Sequence, residues 1–281
     1  MILSGTKLAT ILSHELSQNI QSLKNKPKLV AVLVGNNTAS LRYIKQKKKA
    51  SETVGIKFEL LHLQDDISEQ GLLSEIEKLN NDTSVSGYIV QLPLPNHINS
   101  QHILENISPL KDVDGFHPVN QGKVLIGDTS GLVPCTPKGV MKLLSHHNIS
   151  LQGKKVTILG RSNIVGKPLA ALCINAGATL TSCNSHTEDI FSYTRHADIV
   201  ISAIGKAYFL KAEHVSPNAV LIDVGFSVVD GVIYGDIDFE GCLKQGNTLT
   251  PVPGGVGPLT VAMLLENTYL AHQRQLGEKT I

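Results

Sequence analysis

The chain has 281 residues, enough for two domains or one large one. Apolar residues make up 42% and charged residues 17%, which excludes a disordered chain. With 25 basic and 24 acidic residues the net charge is +1, so neither nucleic acid nor an anionic membrane is an expected partner.

The first twenty residues lack a basic stretch and a continuous apolar run, so no signal peptide is expected. No stretch reaches the length of a membrane span, and the four cysteines show no CxxC spacing. The expectation is a cytoplasmic protein with reduced thiols. Apolar runs predict strands over 29–34, 57–63, 87–92, 155–159, 179–183, 198–203 and 220–224. Most are Val, Ile and Leu without clean alternation, as in strands covered on both faces. Amphipathic segments predict helices over 7–23, 39–54, 68–80, 138–147, 166–176 and 259–272. Such alternation means an α/β protein with parallel sheets and right-handed crossovers. The rhythm breaks over 93–137, a Pro- and Gly-rich stretch that is read as irregular, functional and a domain boundary.

In the helix over 39–54, Lys45, Lys48 and Lys49 lie about 100–160° from Lys47 and read as a solvated face. Lys47 instead shares an arc of about 60° with Ser40, Tyr43, Ala50 and Val54. On geometry alone that placement fits a snorkelling or ion-paired lysine better than a functional amine, and both readings stay open. A buried amine, or one beside a cation, becomes a usable general base. Tyr43 could offer its ring and hydroxyl to a ligand or simply be a core tyrosine. Gln91 falls at the carboxyl end of a strand, where parallel sheets bind ligands. Asp112 and Asp114, in KDVDGFHP, could form a turn or accept a ligand's N–H groups. No further His, Cys or Asp clusters with them, so no metal is expected.

KKVTILG runs into GRSNIVGKPLAALCINAG, which reads as strand, turn and helix, with Gly160 and Gly166 bracketing the turn. Backbone N–H groups at such a helix start suit a phosphate, although GxSxxxG is not the usual dinucleotide fingerprint. The next strand ends in SCNSHT, with Ser185 and His186 where an NAD-selective site has an acid. With Arg161 and Ser162 in the turn, NADP is the expected cofactor. Near the end, TPVPGGVGPLT combines Pro and Gly, so that Gly254 and Gly255 permit close backbone approach to a ligand.

Taken together, VGNNTASLRYIKQK, YIVQLPLP, KDVDGFHPVN, VPCTPKG, GRSNIVGKP, VISAIGK, LIDVG and TPVPGGVGPLT resemble the methylenetetrahydrofolate dehydrogenase/methenyltetrahydrofolate cyclohydrolase family over essentially the full length. The resemblance implies a homodimer with a cleft between two αβα domains in each subunit. A folate-binding domain would comprise 1–137 plus a returning C-terminal segment 259–281, and a Rossmann-like NADP-binding domain would comprise 138–258. It implies oxidation of 5,10-methylenetetrahydrofolate and hydrolysis of the methenyl product to 10-formyltetrahydrofolate. Lys47 would be the base, Gln91 would orient it, Tyr43 would stack on the folate and Asp114 would anchor the pterin. Ser40, Leu92, Pro253, Gly254, Gly255, Val256 and Gly257 would line the folate site, and Gly160, Arg161, Ser162, Ser185, His186 and Phe226 the NADP site. Asn184, His186, Phe226 and Ser227 depart from the usual pattern, where the strand end carries an Arg or Lys and LIDVG is followed by Ile-Asn. A dehydrogenase without the hydrolytic step and a non-catalytic nucleotide-binding regulator are the alternative readings.

Overall fold

A computed structural model describes residues 1–229 and 231–277; Asp230 and residues 278–281, the last part of the expected C-terminal segment, lie outside the described residues. In chain order the elements are α1 (Gly5–Gln21), β1 (Lys28–Val34), α2 (Thr38–Val54), β2 (Lys57–Leu63), α3 (Glu69–Asn81), β3 (Gly87–Val90), α4 (Ser100–Glu105), α5 (Pro118–Ile126) and α6 (Cys135–His146). There follow β4 (Lys155–Leu159), α7 (Gly166–Asn175), β5 (Thr179–Cys183), α8 (Ile190–Arg195), β6 (Ile199–Ser202), β7 (Val220–Asp223), β8 (Ser227–Val229), β9 (Val232–Tyr234), α9 (Phe239–Gln245), β10 (Thr248–Leu249) and α10 (Val256–Gln275). The chain divides into two compact units.

One unit, Ile11–Lys123 with Thr129–Cys135 and Val261–Ile281, holds a parallel three-stranded sheet in the order β2-β1-β3. Its central strand, KLVAVLV, is buried from Leu29 to Val34. Val30 and Val32 pack with Leu72 and Ile76 of α3 and with Tyr88 and Val90 of β3. The expectation of strands covered on both faces fails for β2. This strand lies at the sheet edge, and its Lys57 and Glu59 are exposed, a composition that discourages further strand pairing.

The other unit, Met1–Thr10 with Val124–Asp128 and Thr136–Thr260, carries a five-stranded parallel sheet ordered β10-β7-β6-β4-β5, and a hairpin of β8 and β9. Its core gathers Leu159, Val200, Leu221 and Leu249 around Cys183 and Cys242. Residues from the chain's start complete the sheet edge: Ile2 bridges Leu249, and Leu3 N–H donates to Leu249 C=O at 2.8 Å.

The stretch 93–137 is more regular than its composition suggests. It contains α4, α5 and the start of α6. Capping explains the first: Asn99 Oδ1 accepts from the N–H groups of Gln101 and His102. Pro118 opens α5, where its missing N–H costs nothing. The strand expected over 87–92 stops at Val90. Gln91 N–H still reaches Val32 C=O at 2.9 Å, but Pro93 brings no N–H with which the ladder could continue.

Candidate active site

In the three-stranded unit, Asn37 Oδ1 accepts Ser40 N–H at 3.0 Å and starts α2, and Gly55, left-handed at φ 89°, ends it. The buried stripe of this helix runs through Ser40, Ile44, Ser51 and Val54. Lys47 lies on that stripe between Ile44 and Ser51 and is half-buried, whereas Lys45, Lys48 and Lys49 are exposed. The helical angles therefore separate the four lysines correctly. The stripe is centred on Ile44 and Ser51 rather than on Tyr43 and Ala50, and Tyr43 stands at the rim, 40% exposed.

Lys47 Nζ donates to Gln91 Oε1 at 3.0 Å. Gln91 Nε2 in turn donates to the Leu92 carbonyl at 2.8 Å, which fixes the amide with its oxygen towards the lysine. Leu92 is half-buried beside it. The segment after Lys111 runs along β3, with a bridge between Tyr88 and Asp112. Asn267 of α10 supports this segment by donating to Val113 C=O at 2.9 Å.

The two acids of KDVDG have different environments. Asp112 is buried, and its carboxylate accepts from the N–H groups of Gly115, Phe116 and His117 and from Asn120 Nδ2. It builds the turn. Asp114 is half-buried; desolvation lifts its carboxyl pKa to about 6, the Lys47 ammonium pulls it down and the Asp112 charge pushes it up. An amine, an oriented amide and a carboxyl poised near neutrality thus share one region of this unit.

In the five-stranded unit, β5 lies on one side of β4 and β6 on the other. The carboxyl end of β4 is therefore a topological switch point, where open α/β sheets bind nucleotides. Gly160 has φ +111°, and a side chain on Gly166 would overlap the Gly160 carbonyl, so the turn tolerates only glycine at both positions. Arg161 and Ser162 are exposed at this turn. Ser162 Oγ accepts from the N–H groups of Val165 at 3.2 Å and Gly166 at 3.4 Å, so it also closes the turn that leads into α7. At the end of β5, Ser185 and His186 are exposed, and Asn184 Oδ1 accepts His186 N–H at 3.0 Å. The departure from family pattern at Asn184 thus forms the turn that presents both. These residues fit a dinucleotide phosphate: a side-chain-free turn, a helix start, and exposed cation and hydroxyls with no carboxylate at the strand end.

Phe226 follows β7 and is half-exposed. In the Pro- and Gly-rich loop, Gly254 has φ +100° and its carbonyl accepts from Thr6 N–H at 3.0 Å and Thr6 Oγ1 at 3.2 Å. Pro253 and Gly257 are exposed, but Gly255 and Val256 are buried.

One cluster escaped sequence reasoning. Ser202, Asp223 and Asp236, all buried, join the ends of β6 and β7. Burial and the Asp236 charge push the Asp223 carboxyl pKa up to about 7, against the pull of its backbone N–H donors. The available signals were glycines beside acids, in DVG and YGDID, where no side chain would fit.

Among the described residues no group of three His, Cys, Asp or Glu could hold a metal, and no helix is long and apolar enough to cross a membrane. Two family profiles match the chain: the catalytic domain of tetrahydrofolate dehydrogenase/cyclohydrolase over residues 3–114, and its NAD(P)-binding domain over residues 134–276. The bifunctional protein FolD of Hydrogenobaculum sp. (strain Y04AAS1) is 48% identical, with 98% of this chain and 99% of that protein covered. The crystal structure of the bifunctional FolD dehydrogenase/cyclohydrolase from Campylobacter jejuni is 46% identical and superposes with a TM-score of 0.96, covering 98% of this chain and 99% of the other. The FolD enzyme of Trypanosoma brucei, solved with NADP cofactor and an inhibitor, is 34% identical with a TM-score of 0.93 over 98% of both chains. Two family profiles that together span most of the chain, and identities of 46–48% over nearly its full length, settle the kinship: the chain belongs to the tetrahydrofolate dehydrogenase/cyclohydrolase family and is a bifunctional enzyme of that family.

Proposed function

We propose that Lys47, Gln91, Asp114 and Tyr43 carry the folate chemistry, and that Gly160, Arg161, Ser162, Ser185, His186 and Phe226 receive NADP. The observation that carries the reading is the 3.0 Å contact between Lys47 Nζ and Gln91 Oε1 on the buried stripe of α2. The proposal includes a homodimer and a cytoplasmic site of action. Val228, Val232 and Ile233, exposed on the β8–β9 hairpin, offer an apolar surface for a second copy.

When bound, NADP supplies the acceptor for the hydride that leaves the bridging carbon of 5,10-methylenetetrahydrofolate. The adjacent folate nitrogen expels that hydride, so the protein needs to supply positioning and no acid or base. Tyr43 stacks on the folate, Asp114 accepts the pterin N–H groups, and Ser40 and Leu92 are this unit's further folate contacts. The methenyl product is a cation opened by water. Lys47 takes one proton from water as its oxygen bonds to the bridging carbon; the bond from that carbon to the ring nitrogen N5 then breaks as the hydroxyl proton of the adduct passes to N5, which gives 10-formyltetrahydrofolate. Gln91 holds the amine in line for that transfer. Incubation with methylenetetrahydrofolate and NADP, followed by identification of the folate product, tests the reading: 10-formyltetrahydrofolate is expected, and accumulation of methenyltetrahydrofolate alone would remove the hydrolytic assignment.

Tetrahydrofolate affinity should be level above about pH 6 and fall about tenfold per unit below it, because protonation of Asp114 removes an acceptor. Calorimetric titration between pH 5 and 8 checks this. Asp114→Asn should bind weakly without the bend, and a wild-type profile with no bend would release Asp114 from pterin binding.

Arg161→Ala should weaken NADP far more than NAD. His186→Lys, which restores a fixed cation beside Ser185, should tighten NADP about fivefold, the roughly 1 kcal/mol of an exposed ion pair, and leave NAD unchanged. Parallel dissociation constants for the two cofactors decide; equal losses in Arg161→Ala would assign that residue to the pyrophosphate.

A further inference from the structure

We propose that Asp236 is a positioning residue for the nicotinamide half of the cofactor, acting through the backbone of residues 202–206; the inference rests on the NADP reading above. The fully buried Asp236 carboxylate accepts from Ser202 Oγ at 2.8 Å and Ile204 N–H at 2.9 Å through Oδ2, and from Lys206 N–H at 2.8 Å through Oδ1. Asp236 is itself held in place, since its own N–H and that of Ile237 donate to the two oxygens of Asp223 at 3.1 and 2.9 Å. Asp223 is the last residue of β7, and its N–H donates to Thr250 Oγ1 at 2.8 Å. A rigid strand end thus fixes a buried acid, and the acid fixes a loop whose Gly205 and Lys206 are exposed.

That loop adjoins the phosphate turn. Ala203 N–H donates to Leu159 C=O at 2.9 Å, and a side chain on Gly160 would strike the Ala203 carbonyl. A dinucleotide whose pyrophosphate lies at the β4–α7 turn, with its adenosine ribose at the end of β5, must extend its other half across the switch point to the ends of β6 and β7. There it meets the 202–206 backbone. A second anchor holds the loop from outside: Ser227 Oγ donates to Gly205 C=O at 2.9 Å. Ser227 is one of the departures from family pattern, and this bond gives it a role. Two N–H groups of a surface loop committed to a buried acid leave that loop one conformation, which lowers the ordering cost when the cofactor binds.

Asp236→Asn keeps the shape but sets an NH2 group against a donor. It should weaken NADP about tenfold or more in the absence of folate, while adenosine 2′,5′-bisphosphate, which lacks the nicotinamide half, binds as to wild type. Hydrolysis of added methenyltetrahydrofolate should be unchanged. Ser227→Ala, which leaves the core intact, should show the same selective loss at about threefold and decides the matter if Asp236→Asn does not fold. Equal weakening of both ligands, or of neither, in the folded variants would overturn the proposal. A wild-type protein that binds neither ligand would instead overturn the cofactor reading on which it rests.

Discussion

Lys47→Met should stop enzymatic opening of methenyltetrahydrofolate while oxidation of methylenetetrahydrofolate continues at a reduced rate. Met preserves the apolar stem on the buried stripe of α2 and removes the group that donates to Gln91 Oε1. Proton transfer by a positioned base contributes about 10²–10⁴-fold, and only the hydrolytic step uses it. The dehydrogenase step should fall for a separate reason. Without the Lys47 ammonium nearby, the Asp114 carboxyl pKa moves up from about 6, so less carboxylate is present to hold the pterin. Stopped assays with each folate as starting substrate separate the two effects. Lys48→Met is the control: Lys48 reaches Glu52 only at 3.9 Å on an exposed face, and both activities should stay near wild type. Wild-type hydrolysis in Lys47→Met would make the lysine a positioning group and require another base.

Asp112→Ala should cost far more stability than Asp114→Asn, although the two acids stand two residues apart. Truncation at Asp112 strands the N–H groups of Phe116 and His117 and one of the two Asn120 amide donors, while Gly115 N–H keeps only the Asp112 carbonyl. The expected loss is about 3–5 kcal/mol, a fall of roughly 10 °C or more in melting temperature. Asp114→Asn should stay within about 1 kcal/mol of wild type, because Asp114 does not tie the turn together. Calorimetry of both variants without ligand checks the contrast, and similar losses would mean that Asp114 also supports the fold.

This contrast marks where the sequence stopped being informative. KDVDG identified a turn with two acids, but which carboxyl faces the turn's own N–H groups depends on how the segment lies along β3. Lys47 was separable from its neighbours because helical spacing alone sets their angles. Its partner Gln91 lies 44 residues away and is brought near by packing, which no local pattern encodes. The strands β4 and β5 were legible to the residue, being apolar runs bounded by turn residues. The helices α4 and α5 were not, since a six-residue helix set by one Asn cap and a nine-residue helix containing Gly122 carry little periodicity. The Ser202–Asp223–Asp236 cluster was hidden for a third reason: it joins strand ends and a loop distant in sequence, and single buried acids look like ordinary turn residues.

The bridge between Ile2 and Leu249 has a consequence for how this protein comes into being. Ile2 belongs to a sheet edge whose partner is made nearly 250 residues later. The five-stranded unit therefore cannot close in step with synthesis, and the segment around Ile2 must wait, already translated, for β10. A piece covering only 138–258 would lack that segment and leave the Leu249 carbonyl and the Gly254 turn without their hydrogen-bond donors from Leu3 and Thr6. Continuity along the chain and wholeness in space are different properties here, and the unit has only the second.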